Sequence, residues 1–125
     1  MTDQNRFLAL SPDPKPGTDV ADRELTVRME SGVFEALSST TARSILSTVY
    51  ESPKPPSRIA EGVGTSIQTV TYHLDRLDRL GLLEQVGSQY SPKGREMTVY
   101  GPSAGRIRIQ LIEESGSEDR PAEFA

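Results

Sequence analysis

The sequence predicts a mainly α fold with a small β-hairpin, on three observations. An apolar ladder, Ile67, Val70, Leu74 and Leu77, runs at helical spacings of three, four and three and stops at Gly81. A proline cluster at 53–56 cuts the helical pattern ahead of it, because proline lacks an amide hydrogen and restricts the residue before it. Two strand-like runs, 82–91 and 96–102, flank the turn-forming sequence Pro92-Lys93-Gly94-Arg95.

In chain order, residues 1–23 are rich in Pro, Asp and Gly and are expected to be disordered. In 24–29, Leu25, Val27 and Met29 alternate as in a short strand. Val33, Phe34 and Leu37 share one helical face, and Ala42, Ile45, Leu46 and Val49 repeat the pattern after a Ser/Thr cluster suited to N-capping. After the prolines, a short helix fits Ser57-Arg58-Ile59-Ala60-Glu61-Gly62-Val63, with Ser57 near its cap and Gly62 or Gly64 near its end. The ladder helix then spans about 66–80, followed by the hairpin. Ile107, Ile109 and Leu111 alternate as in a further strand, and the acidic end 114–125 is expected to be disordered. The folded domain is thus placed at 24–113. Three helices, a hairpin and one more strand are most economically arranged as a helix-turn-helix followed by a two-stranded wing.

Composition narrows the function. The 125 residues suit one domain, and no window approaches the roughly 18 apolar residues of a membrane span. With no secretory layout at the N-terminus either, a soluble, cytoplasmic protein is expected. Cysteine is absent and histidine occurs once, which leaves no ordinary transition-metal site and no cofactor to expect. No Gly-rich phosphate loop, Ser-His-Asp order or carboxylate pair points to an enzyme. The net charge of −4 argues mildly against nucleic acid, but acids gather in the tail. Residues 54–100 carry six lysines and arginines against five acids.

The ladder helix has two faces. Ile67, Val70, Leu74 and Leu77 fall within about 80° of one another on a helical wheel. Gln68, Thr69, Tyr72, Arg76 and Arg79 lie on the opposite half, with Thr71 and His73 on the flanks. Such a face has the content of major-groove readout: Gln can pair bidentately with adenine, Thr can reach a base edge or a thymine methyl, and Arg can hold guanine or phosphate. A merely solvated helix more often shows Glu and Lys pairs.

The stretch from Ile59 to Gln85 resembles the winged helix-turn-helix of the ArsR type, and the likeness extends over roughly 33–103. Ile59 and Ala60 occupy the inward positions of the first helix, Val63-Gly64 the turn, Ser66 the start of the recognition helix and Val70 its core residue. His73-Leu74, Leu77 and Gly81-Leu82 continue the register without a gap. The nearest likeness is to small acidic regulators of halophilic archaea. The resemblance implies a transcription regulator, commonly a repressor, acting as a homodimer on double-stranded DNA. Ser66, Gln68, Thr69, Thr71 and Tyr72 would face the major groove, and Lys93, Gly94 and Arg95 would form the wing tip. Metal sensing in the family uses a cysteine-containing motif, so it is not carried over. Family dimers commonly pair through terminal helices, whereas residues 106–113 read as a strand, so the dimer interface stays open.

Bland readings stand beside these. Thr65 and Gln68 fit a capping box, in which case Gln68 folds back and reads no base; with Ser66 as cap it is free. His73, without a second histidine or cysteine, is a structural residue before it is a ligand. Lys93 and Arg95 flank a turn glycine and suit the DNA backbone, although turn charges are often only solvated. Arg58 and Lys54 are candidates for further phosphate contacts. No effector and no pocket for one is legible. The rival reading is a winged-helix interaction or dimerisation module that does not bind DNA.

Overall fold

A computed structural model describes residues 19–112. A 3-10 turn at Val20–Asp22 leads into β1 (Glu24–Arg28). Four helices follow: α1 (Val33–Leu37), α2 (Thr40–Glu51), α3 (Pro56–Val63) and α4 (Ile67–Arg79). β2 (Leu83–Tyr90), β3 (Glu96–Pro102) and β4 (Arg106–Gln110) complete the order. The arrangement is a winged helix-turn-helix. The helical faces read at 33–37 and 42–49 belong to two separate helices, α1 and α2, so the helices number four and not three. Residues 19–23, expected to be disordered, include the 3-10 turn, and the expectations for 1–18 and 113–125 lie outside the described residues.

Each helix boundary has a local cause. Ser39 caps α2 by accepting the Ala42 N–H. At the other end, Lys54 Nζ donates to the carbonyls of Thr48 and Ser52, both at 2.8 Å. The proline cluster does more than stop α2: Pro55 is the N-cap of α3 and Pro56 its first residue, where the missing N–H costs nothing. That displaces the expected cap from Ser57. α3 ends at Gly64, the second of the two glycines considered, whose N–H donates to the Ala60 carbonyl.

α4 ends in a Schellman motif: the Leu82 N–H reaches the Leu77 carbonyl at 2.9 Å and the Gly81 N–H that of Asp78 at 3.0 Å. Gly81 takes φ +83, a conformation that side chains other than glycine rarely adopt. Leu77 and Leu82 are both buried, supplying the apolar contact of that motif.

One core joins the helices and the root of the wing. Ile45 and Val49 of α2, Ile59 of α3, Val70, Leu74 and Leu77 of α4 and Leu83 of β2 are essentially inaccessible. Burying each such side chain is worth about 1.5–3 kcal/mol. In α1 the buried residues are Val33 and Ala36, whereas Phe34 is 37% exposed, so the face expected to include Phe34 is rotated toward Ala36.

The wing is the antiparallel pair β2–β3, with a register shift between Gln85 and Gly87. Lys54 adds an isolated antiparallel bridge to Tyr100, which ties the α2–α3 turn to the wing. β1 and β4 form a second, parallel sheet that pairs Leu25 with Ile107 and Val27 with Ile109. Both strands were expected; their pairing across the length of the domain was not.

Candidate nucleic-acid interface

Helix α4 is held from one side and exposed on the other. Val70, Leu74 and Leu77 are at most 1% accessible. Gln68, Thr71 and Tyr72 are exposed, Tyr72 by 62%. Ile67 departs from the expected stripe: it is 53% exposed, because the first helical residue projects past the edge of the core. The presented face therefore gains an apolar group beside Thr71, of the kind that can meet a thymine methyl. Wheel angle gave its direction; only the depth of the core could show that it stays outside.

The capping question is resolved at Ser66. Its Oγ accepts the Thr69 N–H at 3.0 Å and lies 3.0 Å from Thr69 Oγ1. Thr65 is not the cap, and among the described residues the Gln68 side chain has no hydrogen-bond partner. Ser66 and half-buried Thr69 are thus partly occupied with each other, whereas Gln68 and Thr71 are unengaged. Tyr72 stands edge-on to His73, ring centres 5.1 Å apart. His73 is half-buried beside it, as a structural residue would be.

Further along, α4 is tied to the body of the domain. Arg76 was expected on the presented face; its Nη2 lies 3.3 Å from Glu35 Oε1 of α1, with the side chain only 30% exposed. Its guanidinium fastens α4 to α1 before it can offer anything outward. Asp75 is exposed one position earlier, on the same side as Gln68 and Tyr72. A carboxylate there repels phosphate and can accept only from a donor such as the cytosine amine. Asp75 is absent from the residues expected on that face, although its spacing of seven from Gln68 and three from Tyr72 puts it there.

At the wing tip, Ser91 organises the turn. Its N–H donates to the Arg95 carbonyl at 2.8 Å, and its Oγ accepts the N–H groups of Lys93 and Arg95 at 3.3 and 3.1 Å. Gly94 turns at φ +82. The side chains of Lys93 and Arg95 are exposed, with no carboxylate partner among the described residues. Two exposed cations therefore sit on one hydrogen-bonded turn.

The other cations are placed differently. Arg58 on α3 is exposed and 3.9 Å from Glu61 of the same helix, a loose pair that leaves it accessible. Lys54 is spent on capping α2, so it is not a free phosphate contact. Burial pulls its pKa below the ordinary lysine value, opposed by Glu51 and reinforced by Arg58. Tyr100 is held above the usual phenol range by burial, with the carboxylates of Asp75 and Asp78 adding to the shift.

An open, mostly apolar recess of about 330 Å³ lies between the parallel sheet and α2, lined by Leu25, Leu46, Tyr50, Leu82 and Ile107. No such recess was legible in the sequence. Among the described residues no three or more His, Cys, Asp or Glu side chains gather to hold a metal ion, and no helix is long and apolar enough to cross a membrane.

Comparison with known proteins matches residues 37–86 to a family described as a helix-turn-helix domain. No curated protein matches the chain. Among solved structures it is similar to the homodimeric winged helix-turn-helix DNA-binding domain of Mb0332 from Mycobacterium bovis, a possible ArsR-family regulator. There the identity is 21% over 58% of this chain and 61% of that domain, with a TM-score of 0.46. An ArsR-like transcriptional regulator from Rhodococcus sp. RHA1 is 26% identical over 74% of each chain, also with a TM-score of 0.46. NolR from Sinorhizobium fredii is 17% identical over 74% of this chain and 77% of its own, again at 0.46.

Proposed function

We propose that the chain, a winged helix-turn-helix whose residues 37–86 match a helix-turn-helix family, is a sequence-specific DNA-binding transcription regulator. It acts as a homodimer, with the N-terminal half of α4 in the major groove of each half-site and the wing tip on the backbone. Half-sites of such dimers lie about 34–36 Å apart, one turn of the duplex. The observation that carries the reading is the exposed face of Gln68, Thr71 and Tyr72, standing over a buried Val70 and Leu74. Ser66 caps the helix by accepting the Thr69 N–H, and the two residues meet the groove from its first turn. Gln68 is the natural adenine reader, Thr71 and Ile67 suit a thymine methyl, and Lys93, Gly94, Arg95 and Arg58 position the protein on phosphates. Arg76 serves as a tether to Glu35 and reaches phosphate only if that pair opens. Occupying a promoter in this way blocks polymerase, so repression is the expected outcome.

A test is selection of bound fragments from genomic DNA over a range of salt concentrations. A recurrent palindromic site is the expected result, with the slope of log K on log salt flattening by about 0.9 for each phosphate contact removed at Lys93 or Arg95. If no fragment is enriched at any salt, the reading fails. The net charge of −4 and the exposed Asp75 would then favour an interaction module that touches protein only.

A further inference from the structure

Strand β4 is exposed along four of its five residues. Among the described residues it has one neighbour, β1, and its other edge is open. Ile107 is 39% and Ile109 48% exposed, and the apolar row continues through Leu111 at 73% and Ile112 at 78%. Parallel sheets are ordinarily covered on both faces, and open edges are ordinarily guarded by charged side chains, lysine above all, by proline or by a bulge. Residues 106–112 contain neither lysine nor proline. The two arginines remain exposed but are paired within the sheet: Arg106 Nε and Arg108 Nε each lie 3.2 Å from a carboxylate oxygen of Glu24 on β1.

We propose that β4 is the joint between two copies of this chain, paired antiparallel about a twofold axis at Ile109. The two small sheets then become one four-stranded sheet. Self-pairing of one edge is what a twofold interface requires, since the same patch must complement itself. Charge excludes two registers, and the continuous apolar row favours the one at Ile109. An axis at Arg108 sets that arginine against its own copy, and an axis at Ile107 sets Arg106 against Arg108; like charges directly opposite are destabilising. An axis at Ile109 pairs Arg108 with Gln110 of the second copy, Ile107 with its Leu111, and Ile109 with its Ile109. The apolar row is then continuous across the joint and no arginine meets another.

The placement leaves the DNA face free. A Cβ on Gly81, at the end of α4, would lie 3.3 Å from Leu25 of β1, so the sheet stands at the C-terminal end of that helix. Ser66 lies at the opposite end, about 20 Å away along 13 residues, and Tyr72 about half as far. A five-residue joint is smaller than the about 800 Å² per partner of a standard interface, so the dimer depends on concentration and is reinforced by two half-sites on one DNA. The inference rests on the dimer of the proposed function and names its interface.

The chain has no cysteine, so a single one reports its own position. Across an antiparallel pair, opposed Cα atoms are about 4.5–5.5 Å apart, within the range a disulfide spans. Ile109→Cys in the full chain should form a disulfide dimer under mild oxidation. Ile107→Cys and Leu111→Cys should stay largely monomeric alone and cross-link when mixed. Failure of Ile109→Cys to cross-link, or equal cross-linking of all three alone, overturns the proposal. Ile109→Lys should sediment as a folded monomer where the unaltered chain is a dimer. If it remains a dimer, the joint lies elsewhere and the dimer itself stands; if the unaltered chain is a monomer with and without DNA, both fall. Replacing Phe7, Leu8 and Leu10 by serine should leave the Ile109→Cys cross-link unchanged. Dimerisation that appears only in that variant would mean the edge is occupied by the chain's own N-terminal segment, against the proposal.

Discussion

The two halves of α4 are built for different work. From Ser66 to His73 only Val70 enters the core, and Gln68 and Thr71 bond to nothing in the domain among the described residues. From Leu74 onward nearly every position is tied down. Leu74 and Leu77 are buried, Arg76 pairs with Glu35, and Asp78 accepts from Gln85 Nε2 at 3.3 Å. The Schellman motif then fixes the helix end. A group committed to folding cannot also be offered to a base edge without breaking its own bond. Stability is therefore concentrated where the helix meets the body, and chemistry where it leaves.

Three substitutions should separate those roles, beginning with the anchored half. Leu74→Ala removes a side chain 1% accessible and should cost about 2–5 kcal/mol of stability in urea unfolding, with DNA binding lost only as the fold is lost. Gln68→Ala should do the reverse. Stability should stay within about 0.5 kcal/mol, as for other exposed positions. Discrimination between the preferred site and one altered under Gln68 should fall by about 1–3 kcal/mol in competition binding. Sequence preference untouched by that change would remove Gln68 from the reading face. Ser66→Ala stands between the halves, because the cap both starts the helix and fixes Thr69. About 1 kcal/mol of stability should be lost, visible in thermal unfolding, with a smaller loss of affinity for all sites.

What was legible in the sequence follows from the range of each interaction. The ladder of α4, the stop at Gly81 and the hairpin turn at Gly94 depend on neighbours a few residues away, and each was read where it lies. Ser66 against Thr65 as cap stayed open because both offer the same hydroxyl chemistry and differ only in backbone geometry. Ile67 was misread because periodicity gives the direction of a side chain and not how far the core extends beneath it. Lys54 was grouped with the free cations because the helix end it closes depends on the path of the chain through the proline turn. The pairing of β1 with β4, Glu24 opposite Arg106, spans nearly the whole domain, and no local pattern specifies a partner so distant. The Arg76–Glu35 pair is of the same kind.

That pair supplies the smallest expected effect and the finest test of the division within α4. Glu35 is 81% exposed and Arg76 30%, so water screens the interaction and about 0.2–1 kcal/mol of coupling is expected from a double-mutant cycle of Arg76→Ala and Glu35→Ala. Raising the salt should shrink the coupling, since exposed pairs are screened. If Arg76 works only as a tether, Arg76→Ala should change DNA affinity little, and Glu35→Ala should leave it unchanged or slightly improved by freeing a cation beside the groove. No measurable coupling, together with a loss of affinity in Arg76→Ala shared by all DNA sequences, would instead place Arg76 on a phosphate. The boundary between the presenting and anchored halves would then move one turn toward the end of the helix.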